Sequence, residues 1–187
     1  MSTLVAVLDA DLLVPILSCD LLLSAFDEDL YRPVVTATIL DEIERNLVAG
    51  FTHLDPAALR GRVTQVAAAL SLHTHDEGDI TAAAVATVNR KDRHVAATAL
   101  AHGAGLVVSN DRRLRREVNA LGEPLLAVNG DEFAQRLLID QPDGVDAAID
   151  ALVAKRTRRP VTRSELIDQL AGSFPGFAAE LRLRAHW

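Results

Sequence analysis

The stretch Leu4-Val-Ala-Val-Leu8, followed at once by Asp9-Ala-Asp11, decides the fold of this chain. A run of apolar residues without alternation is typical of a strand that is buried on both faces of a parallel sheet. A second run, Leu106-Val-Val-Ser-Asn-Asp111, also ends in an aspartate. Because the carboxyl ends of parallel strands face one crevice, Asp9 and Asp111 are expected at a common ligand-binding edge.

Two further acidic residues are candidates for the same crevice. Glu42 lies within a helix predicted for 36–48, and Asp92 stands directly before a helix predicted for 93–102. Carboxylates that gather in one place repel one another unless a cation lies between them, and a divalent cation with oxygen ligands is the usual solution. The pattern therefore predicts a metal-dependent hydrolase.

A structural explanation exists for each of these acidic residues. Asp9, Asp92 and Asp111 each precede a predicted helix and are suited to cap it. Glu42 belongs to an acidic segment near the start of its helix, where the helix dipole favours negative charge. Capping and metal binding are compatible, since a carboxylate has two oxygens.

Three more residues are further candidates for the site. Asp11 lies two positions after Asp9 and points the same way if the strand persists that far. Glu44 shares a helix with Glu42 but is expected to be more exposed. Ser109 is placed to hydrogen-bond a carboxylate and orient it.

Composition excludes several other classes of protein. The chain has 187 residues, 49% of them apolar, which suits one domain or one domain with an appendage. No apolar run approaches the roughly 20 residues that span a membrane, and the first residues do not resemble a signal peptide. A single cysteine, Cys19, fits a core position and a reducing cytoplasm. The net charge of −7 argues against a nonspecific nucleic-acid coat protein.

Motifs for other chemistries are missing from the sequence. We find no P-loop, no glycine-rich dinucleotide fingerprint and no Gly-x-Ser-x-Gly elbow. His73 and His75 lie in a polar segment without matching cysteines or histidines elsewhere, which is weak evidence for zinc.

The order of the predicted elements places the chain in the α/β class. Helices alternate with strands that are expected at 4–8, 106–108 and 124–128, with a short strand or linker at 31–35. Such alternation predicts a parallel sheet with right-handed crossovers.

Residues 1–140 form the predicted catalytic unit, and 145–187 form a helical C-terminal extension with helices expected at 145–156, 162–172 and 175–185. Capping signals at Thr36, at Asn129 with Glu132, and at Thr162 with Glu165 predict three helix starts. Within the first unit we expect one helix over 12–26, with Pro15 in its first turn, and a loop over 73–79. The extension contains the basic run Lys155-Arg-Thr-Arg-Arg159, which fits either partner docking or RNA contact.

Four segments, in this order, resemble the motifs of the PIN-domain ribonucleases. They are Val7-Leu-Asp-Ala-Asp-Leu-Leu-Val14, Thr36 to Leu47, Lys91-Asp-Arg-His-Val-Ala-Ala-Thr-Ala-Leu100, and Leu106-Val-Val-Ser-Asn-Asp111. The likeness covers about 1–140 and is greatest to the bacterial VapC-type toxins of toxin–antitoxin pairs. Asp11 stands where that family often has Asn, Ser or Thr, so its extra charge is expected to alter metal binding.

The resemblance implies a three-layer PIN-like domain, with a small parallel sheet flanked by helices, and a Mg²⁺- or Mn²⁺-dependent endoribonuclease. It assigns catalysis and metal binding to Asp9, Glu42, Asp92 and Asp111. Its implied partners are an RNA substrate, a cognate antitoxin and a second copy of the chain, in the cytoplasm and without a membrane. The basic residues expected at flanking RNA phosphates are Arg90, Arg93, Arg112 and Arg113.

Two alternatives stay open. A haloacid-dehalogenase-type phosphatase also begins with Asp-x-Asp after its first strand, the first Asp being a nucleophile. Against it, Leu13 occupies the position where that family has Thr. The other alternative is a non-catalytic PIN-like binding module. The presence of all four acidic residues argues against it.

Overall fold

The centre of the fold is a small parallel sheet. The structure, a computed structural model, describes residues 4–70, the backbone of 74–75, and 84–184. Within those residues the sheet has five strands, in the order β3-β2-β1-β4-β5, and all of its neighbouring pairs are parallel. The strands are β1 (Val5–Leu8), β2 (Arg32–Thr36), β3 (Thr74–His75), β4 (Leu106–Val108) and β5 (Leu126–Val128).

Helices connect and cover these strands. In chain order they are α1 (Ala10–Leu13), α2 (Ile16–Asp27), α3 (Ala37–Gly50), α4 (Pro56–Ala69), α5 (Arg93–Ala101), α6 (Arg112–Asn119), α7 (Gly130–Asp140), α8 (Pro142–Lys155), α9 (Arg163–Leu170) and α10 (Pro175–Arg184). The chain is therefore an α/β protein with a small parallel sheet flanked by helices, as the alternation of elements predicts.

Burial of the central strands explains why they read as uninterrupted apolar runs. Ala6, Val7 and Leu8 of β1 are fully buried, and so are Val107 and Val108 of β4. β1 lies between β2 and β4, and α5 contacts all three of these strands. Side chains at successive positions of a strand point to opposite faces of the sheet. A strand that is buried on both faces therefore needs apolar residues at every position.

Local capping signals place several helix starts correctly. Thr36 accepts a hydrogen bond from the backbone N–H of Ile39, which begins α3 as predicted. Asn129 and Thr162 each form a capping box, with Glu132 and Glu165 respectively, and begin α7 and α9. These signals act over three residues, so they are visible in the sequence alone.

Three expectations about the elements are wrong. The helix expected over 12–26 is divided into α1 and α2, because Pro15 has extended backbone angles and precedes α2 instead of lying inside its first turn. Thr74 and His75 pair with β2, so 73–79 is not wholly a loop; His73 and the side chain of His75 lie outside what the structure describes. The eighth helix begins at Pro142, three residues early, since proline is favoured in the first turn.

The C-terminal helices pack on the rest of the protein. α8 packs against α2 and α7, and α10 packs against α7 and α9. Leu166, Phe174 and Leu181 belong to the same cluster of buried apolar residues as Leu8 of the central strand. One apolar core therefore extends from the sheet into the helices beyond residue 140.

The length and apolar character of a helix determine whether it can cross a lipid bilayer. Among the described residues, none of the helices combines the length and the apolar character needed to cross a membrane.

Candidate functional site

Asp9 lies at the carboxyl end of β1 and is held by groups from two strands' ends. Its Oδ1 accepts a hydrogen bond of 2.7 Å from the backbone N–H of Ala10, and its Oδ2 accepts one of 2.6 Å from the Ser109 hydroxyl. The Asp9 N–H donates to the Val108 carbonyl at 3.0 Å. The parallel pairing of β1 and β4 therefore brings the two strand ends together, as predicted from their sequences.

Ser109 joins the neighbouring acidic residues. Besides donating to Asp9, its Oγ accepts a hydrogen bond of 3.0 Å from the Asp111 N–H and lies 3.4 Å from Asp11 Oδ2. Asp11 Oδ2 also accepts a hydrogen bond of 2.9 Å from the Asn110 N–H. One buried hydroxyl thus contacts the carboxylates of Asp9 and Asp11 and the backbone of Asp111.

The position of Asp11 has a different cause from the expected one. The strand ends at Leu8, and Asp11 lies in the first turn of α1 instead of on an extended segment. It faces Ser109 because α1 begins directly after Asp9, its N-cap residue, and turns the chain toward β4. Its Oδ1 is buried and, within the described part of the chain, has no hydrogen-bond partner.

Asp111 and Asp92 differ in how they meet the helices they precede. Asp111 caps α6 as predicted, its Oδ1 accepting from the N–H groups of Arg113 at 2.6 Å and Leu114 at 3.2 Å. The prediction that Asp92 caps α5 is wrong, because its backbone angles (φ −107°, ψ 0°) place its side chain outside capping geometry and it makes no capping hydrogen bond. The Asp92 carboxylate is therefore not used by its own helix.

Glu42 faces a histidine that the sequence analysis did not select. Glu42 Oε2 lies 3.4 Å from His94 Nε2, and its Oε1 lies 3.5 Å from Arg45 Nη2. The His94 side chain is only 13% exposed, and its Nδ1 lies 3.0 Å from the Lys91 carbonyl. Its place two residues after Asp92, at the start of α5, was the available signal.

Electrostatic coupling links the carboxylates to one another. Burial raises the pKa of Asp9, and the nearby charge of Asp111 raises it further against the opposing effect of Ser109 and His94. Burial also raises the pKa of Asp92, with the charges of Asp111 and Asp9 adding to it. The pKa of Glu42 is raised by burial, lowered by His94, and raised again by Asp9 and Asp92. The four predicted residues therefore act on one another through a shared field.

Asp11 shows the largest resolved effect among these carboxylates. Burial, followed by the charge of Asp9, raises its pKa from 3.8 to about 7. The hydrogen bonds that it accepts from the backbone of 110–111 and from Ser109 oppose this rise. Asp9 and Asp11 together concentrate negative charge at the end of β1.

The candidate phosphate-binding arginines fall into two groups. Arg93 donates to the carbonyls of Val88 (2.9 Å) and Ala86 (2.7 Å), so it fastens the segment before α5. Arg113 donates to Glu117 Oε1 at 2.7 Å. Both guanidinium groups are thus paired within the chain, although Arg113 is exposed, as Arg90 and Arg112 are.

Glu44, the remaining candidate, lies on another part of the surface. It lines a shallow groove between α3 and α4 together with Asp41 and Arg60. The carboxylates that act on Glu42 do not include it. The helix turns it away from Glu42 because residues two apart on a helix face different sides.

The chemistry of the donors suits a hard divalent cation, while their spacing is less favourable. All four predicted ligands offer carboxylate oxygen, and Asp11 adds a buried Oδ1 that has no hydrogen-bond partner among the described residues. Among the described residues, however, no three His, Cys, Asp or Glu side chains stand close enough together to hold an ion as they are.

Comparisons of the chain with protein families, with curated proteins and with solved structures gave no match.

Proposed function

We propose that this protein is a metal-dependent endoribonuclease of the PIN type, acting as the toxin of a toxin–antitoxin pair. The observation that carries the proposal is the Ser109 hydroxyl, which contacts the carboxylates of Asp9 and Asp11 and the backbone N–H of Asp111 at the ends of neighbouring strands. The charge of Asp9 also acts on Glu42 and Asp92. Acidic side chains gathered at this edge of a parallel sheet are typical of a catalytic crevice.

The raised pKa values support a need for a cation. Burial raises the pKa of each of Asp9, Glu42 and Asp92, and the charges of neighbouring carboxylates raise it further. A bound divalent ion would reverse that effect and favour the ionised forms. Mg²⁺ or Mn²⁺ would be held by Asp9, Glu42, Asp92 and Asp111, with Asp11 as a further donor.

The residues of the chain have distinct tasks in this proposal. Ser109 orients Asp9 through its short hydrogen bond, and Arg90 and Arg112 are exposed and able to contact phosphates beside the cleaved bond. The ion would supply an activated water and stabilise the leaving oxygen in an in-line displacement. A cognate antitoxin would inhibit by covering the crevice and placing an Arg or Lys among the carboxylates.

Cleavage of total bacterial RNA by the purified protein tests the proposal. We expect discrete fragments with Mg²⁺ or Mn²⁺ and none with EDTA. Since loss of a group that only orients a metal ligand reduces activity by about 10–100-fold, Asp9→Asn should reduce cleavage by about 100-fold or more. Glu44→Gln is a suitable comparison, because Glu44 lies in the groove between α3 and α4, away from these carboxylates, and should matter far less.

A second candidate, a non-catalytic binding module, is favoured by one observation: no three described side chains are grouped closely enough to hold an ion. The two candidates differ in the outcome of one further measurement. Calorimetric titration with Mn²⁺ should detect a site in the native protein that is lost in Asp9→Asn. Folded protein that neither binds Mn²⁺ nor cleaves RNA would support the binding module instead. A covalent phosphoenzyme lost in Asp9→Asn would support the phosphatase reading.

A further inference from the structure

A second concave surface lies away from the carboxylates. A cleft of about 820 Å³ is formed between α2 and the residues that end α8, and none of the candidate site residues lines it. Its apolar part consists of Ile16, Leu23 and Leu152. Ile16 is 60% exposed, although it is an isoleucine at the start of a well-packed helix. Because a single exposed isoleucine is ordinary on a protein surface, the meaning of the cleft depends on the charges beside it.

The other part of the cleft is basic, and some of its charge has an internal explanation. Lys155 Nζ lies 3.0 Å from Asp27 Oδ2, and Arg156 Nη2 lies 3.7 Å from Asp20 Oδ2. Lys155 also ends α8, where a positive charge complements the helix dipole. These contacts account for the first two cations of the basic run.

The next two cations have no such explanation. Arg158 and Arg159 follow the end of α8, are exposed, and line the cleft. Neither forms an ion pair or a side-chain hydrogen bond with any residue that the structure describes. In a chain of net charge −7, this is a local concentration of unneutralised positive charge.

The mixture of aliphatic and cationic side chains in the cleft determines which kind of anionic partner fits it. Single-stranded nucleic acid binds where cations lie beside aromatic side chains on which the bases stack. The cleft is lined by aliphatic side chains, with no aromatic residue among those that form it. An aliphatic floor between two helices, with cations at one end, instead complements an amphipathic peptide that carries acidic residues.

We propose that the cleft between α2 and α8 is a docking site for an acidic, amphipathic segment of a partner protein. An apolar side chain of that segment packs on Ile16 and Leu23, the two apolar lining residues that are not fully buried. Its carboxylates pair with Arg158 and Arg159, which are already exposed and need no rearrangement. The inference does not depend on the proposed nuclease activity, because the two surfaces share no residue.

Selection from a phage-displayed library of random peptides tests the proposal. The wild-type protein is the target, and enriched peptides are synthesised and their Kd measured by fluorescence anisotropy. We expect acidic peptides with at least one large apolar residue. Their affinity should fall at least about tenfold for Arg158→Glu/Arg159→Glu, and similarly for Ile16→Asp, which changes no arginine.

Matched variants make the result specific to the cleft. Arg60→Glu/Arg116→Glu changes the net charge equally at exposed positions outside the cleft and should leave peptide affinity within about twofold. Arg158→Lys/Arg159→Lys keeps the charge and should retain most of the affinity. Since all of these residues are exposed, circular dichroism should show the native fold in each variant.

Three outcomes would overturn the proposal. One is the absence of enriched peptides, and another is peptides that bind the cleft variants as tightly as the wild type. The third concerns a fluorescein-labelled single-stranded RNA bound to the Asp9→Asn protein. If Arg158→Glu/Arg159→Glu weakens that RNA while no peptide depends on the cleft, the surface contacts nucleic acid instead.

Discussion

At the end of β4, the side chain of Ser109 holds the acidic residues in a defined arrangement. It is fully buried and has one proton, which it donates to Asp9 Oδ2 at 2.6 Å. The longer contact of 3.4 Å with Asp11 Oδ2 is therefore the weaker one. By also accepting from the Asp111 N–H, the hydroxyl connects the ends of both central strands.

Replacing Ser109 by alanine should affect both stability and activity. Ser109→Ala leaves buried hydrogen-bonding groups without a partner, so the free energy of unfolding should fall by about 1–3 kcal/mol. Cleavage should fall by about 10–100-fold, because Asp9 loses the group that orients it. Urea denaturation and the cleavage assay measure these effects.

Ser18 offers a matched control for this change. Its hydroxyl is also buried, but it has no hydrogen-bond partner among the residues described. Ser18→Ala should therefore change the free energy of unfolding by less than about 0.5 kcal/mol, or stabilise the protein. Equal losses in the two serine variants would show that the hydrogen bonds of Ser109 are not the cause.

Asp11 should make stability depend on pH. Its folded-state pKa of about 7 lies above its ordinary value of 3.8, so the folded protein binds the proton more tightly than the unfolded chain. The resulting stabilisation is complete below the ordinary value and is lost as the pH rises through about 7.

The variant Asp11→Asn removes this titration while keeping the amide oxygen as an acceptor. At pH 8 it should be more stable than the wild type by as much as about 4 kcal/mol, since each pKa unit corresponds to about 1.4 kcal/mol. At pH 4 the two proteins should differ little, which provides the internal control. Denaturation at a series of pH values tests this, and a constant difference across that range would contradict it.

Between α1 and α2 the chain depends on a side chain from a distant helix. The break at Pro15 leaves carbonyls at the end of α1 without their usual helical partners. Arg62 of α4 donates to the Val14 carbonyl at 2.7 Å and to the Leu13 carbonyl at 3.1 Å. This guanidinium stabilises the turn that begins immediately after Asp9 and Asp11.

Removing that guanidinium should destabilise the protein measurably. Arg62→Met keeps an aliphatic stem but loses two charge-assisted hydrogen bonds, so the free energy of unfolding should fall by about 1.5–3 kcal/mol. Arg60 lies two residues earlier on the same helix and is exposed. Arg60→Met should change stability by less than about 0.5 kcal/mol, and a loss equal to that of Arg62→Met would refute the assigned role.

A side chain of α7, that of Asp131, caps the start of α10 and so links the two helices. The Asp131 carboxylate accepts two hydrogen bonds, one of 2.9 Å from the Gly176 N–H and one of 2.8 Å from the Phe177 N–H. The residue before Asp131, Gly130, donates to Asn110 Oδ1 at 3.2 Å. A Cβ atom at Gly130 would lie 2.8 Å from Leu12 Cδ2 and 3.2 Å from Phe174 Cε1, so these elements approach closely at the glycine.

On the scale of the whole molecule, the C-terminal helices complete the apolar core. Leu21 and Leu22 of α2 and Leu137 of α7 line the same small internal space as Val145 of α8 and Phe177 of α10. A division at residue 140 therefore passes through packed side chains. The boundary between 1–140 and 145–187 remains a prediction about function, whereas the packing links the two parts structurally.

A chain that ends at residue 140 should not fold as the full protein does. Loss of α8 and α10 exposes leucines that are now buried, and an exposed apolar surface of this kind favours partial unfolding or aggregation. We expect one cooperative thermal transition for the full chain, and for 1–140 a weak or absent transition with strong binding of ANS. A fragment that melts cooperatively near the temperature of the full chain would contradict this.

The sequence by itself determined the features that arise from neighbouring residues. The buried runs ending at Asp9 and Asp111 indicated parallel strands, since strands covered on both faces must be apolar throughout. The caps at Thr36, Asn129 and Thr162 were visible because each acts within three residues. These signals were sufficient for the α/β class and for most helix boundaries.

The tertiary structure decided which distant residues meet. Ser109 was a predicted candidate, but its simultaneous contact with Asp9, Asp11 and Asp111 depends on the register between β1 and β4. The pairing of His94 with Glu42 joins two different helices. Local sequence carries no record of such contacts, because they arise only when packing against a shared core fixes the orientation of every element at once.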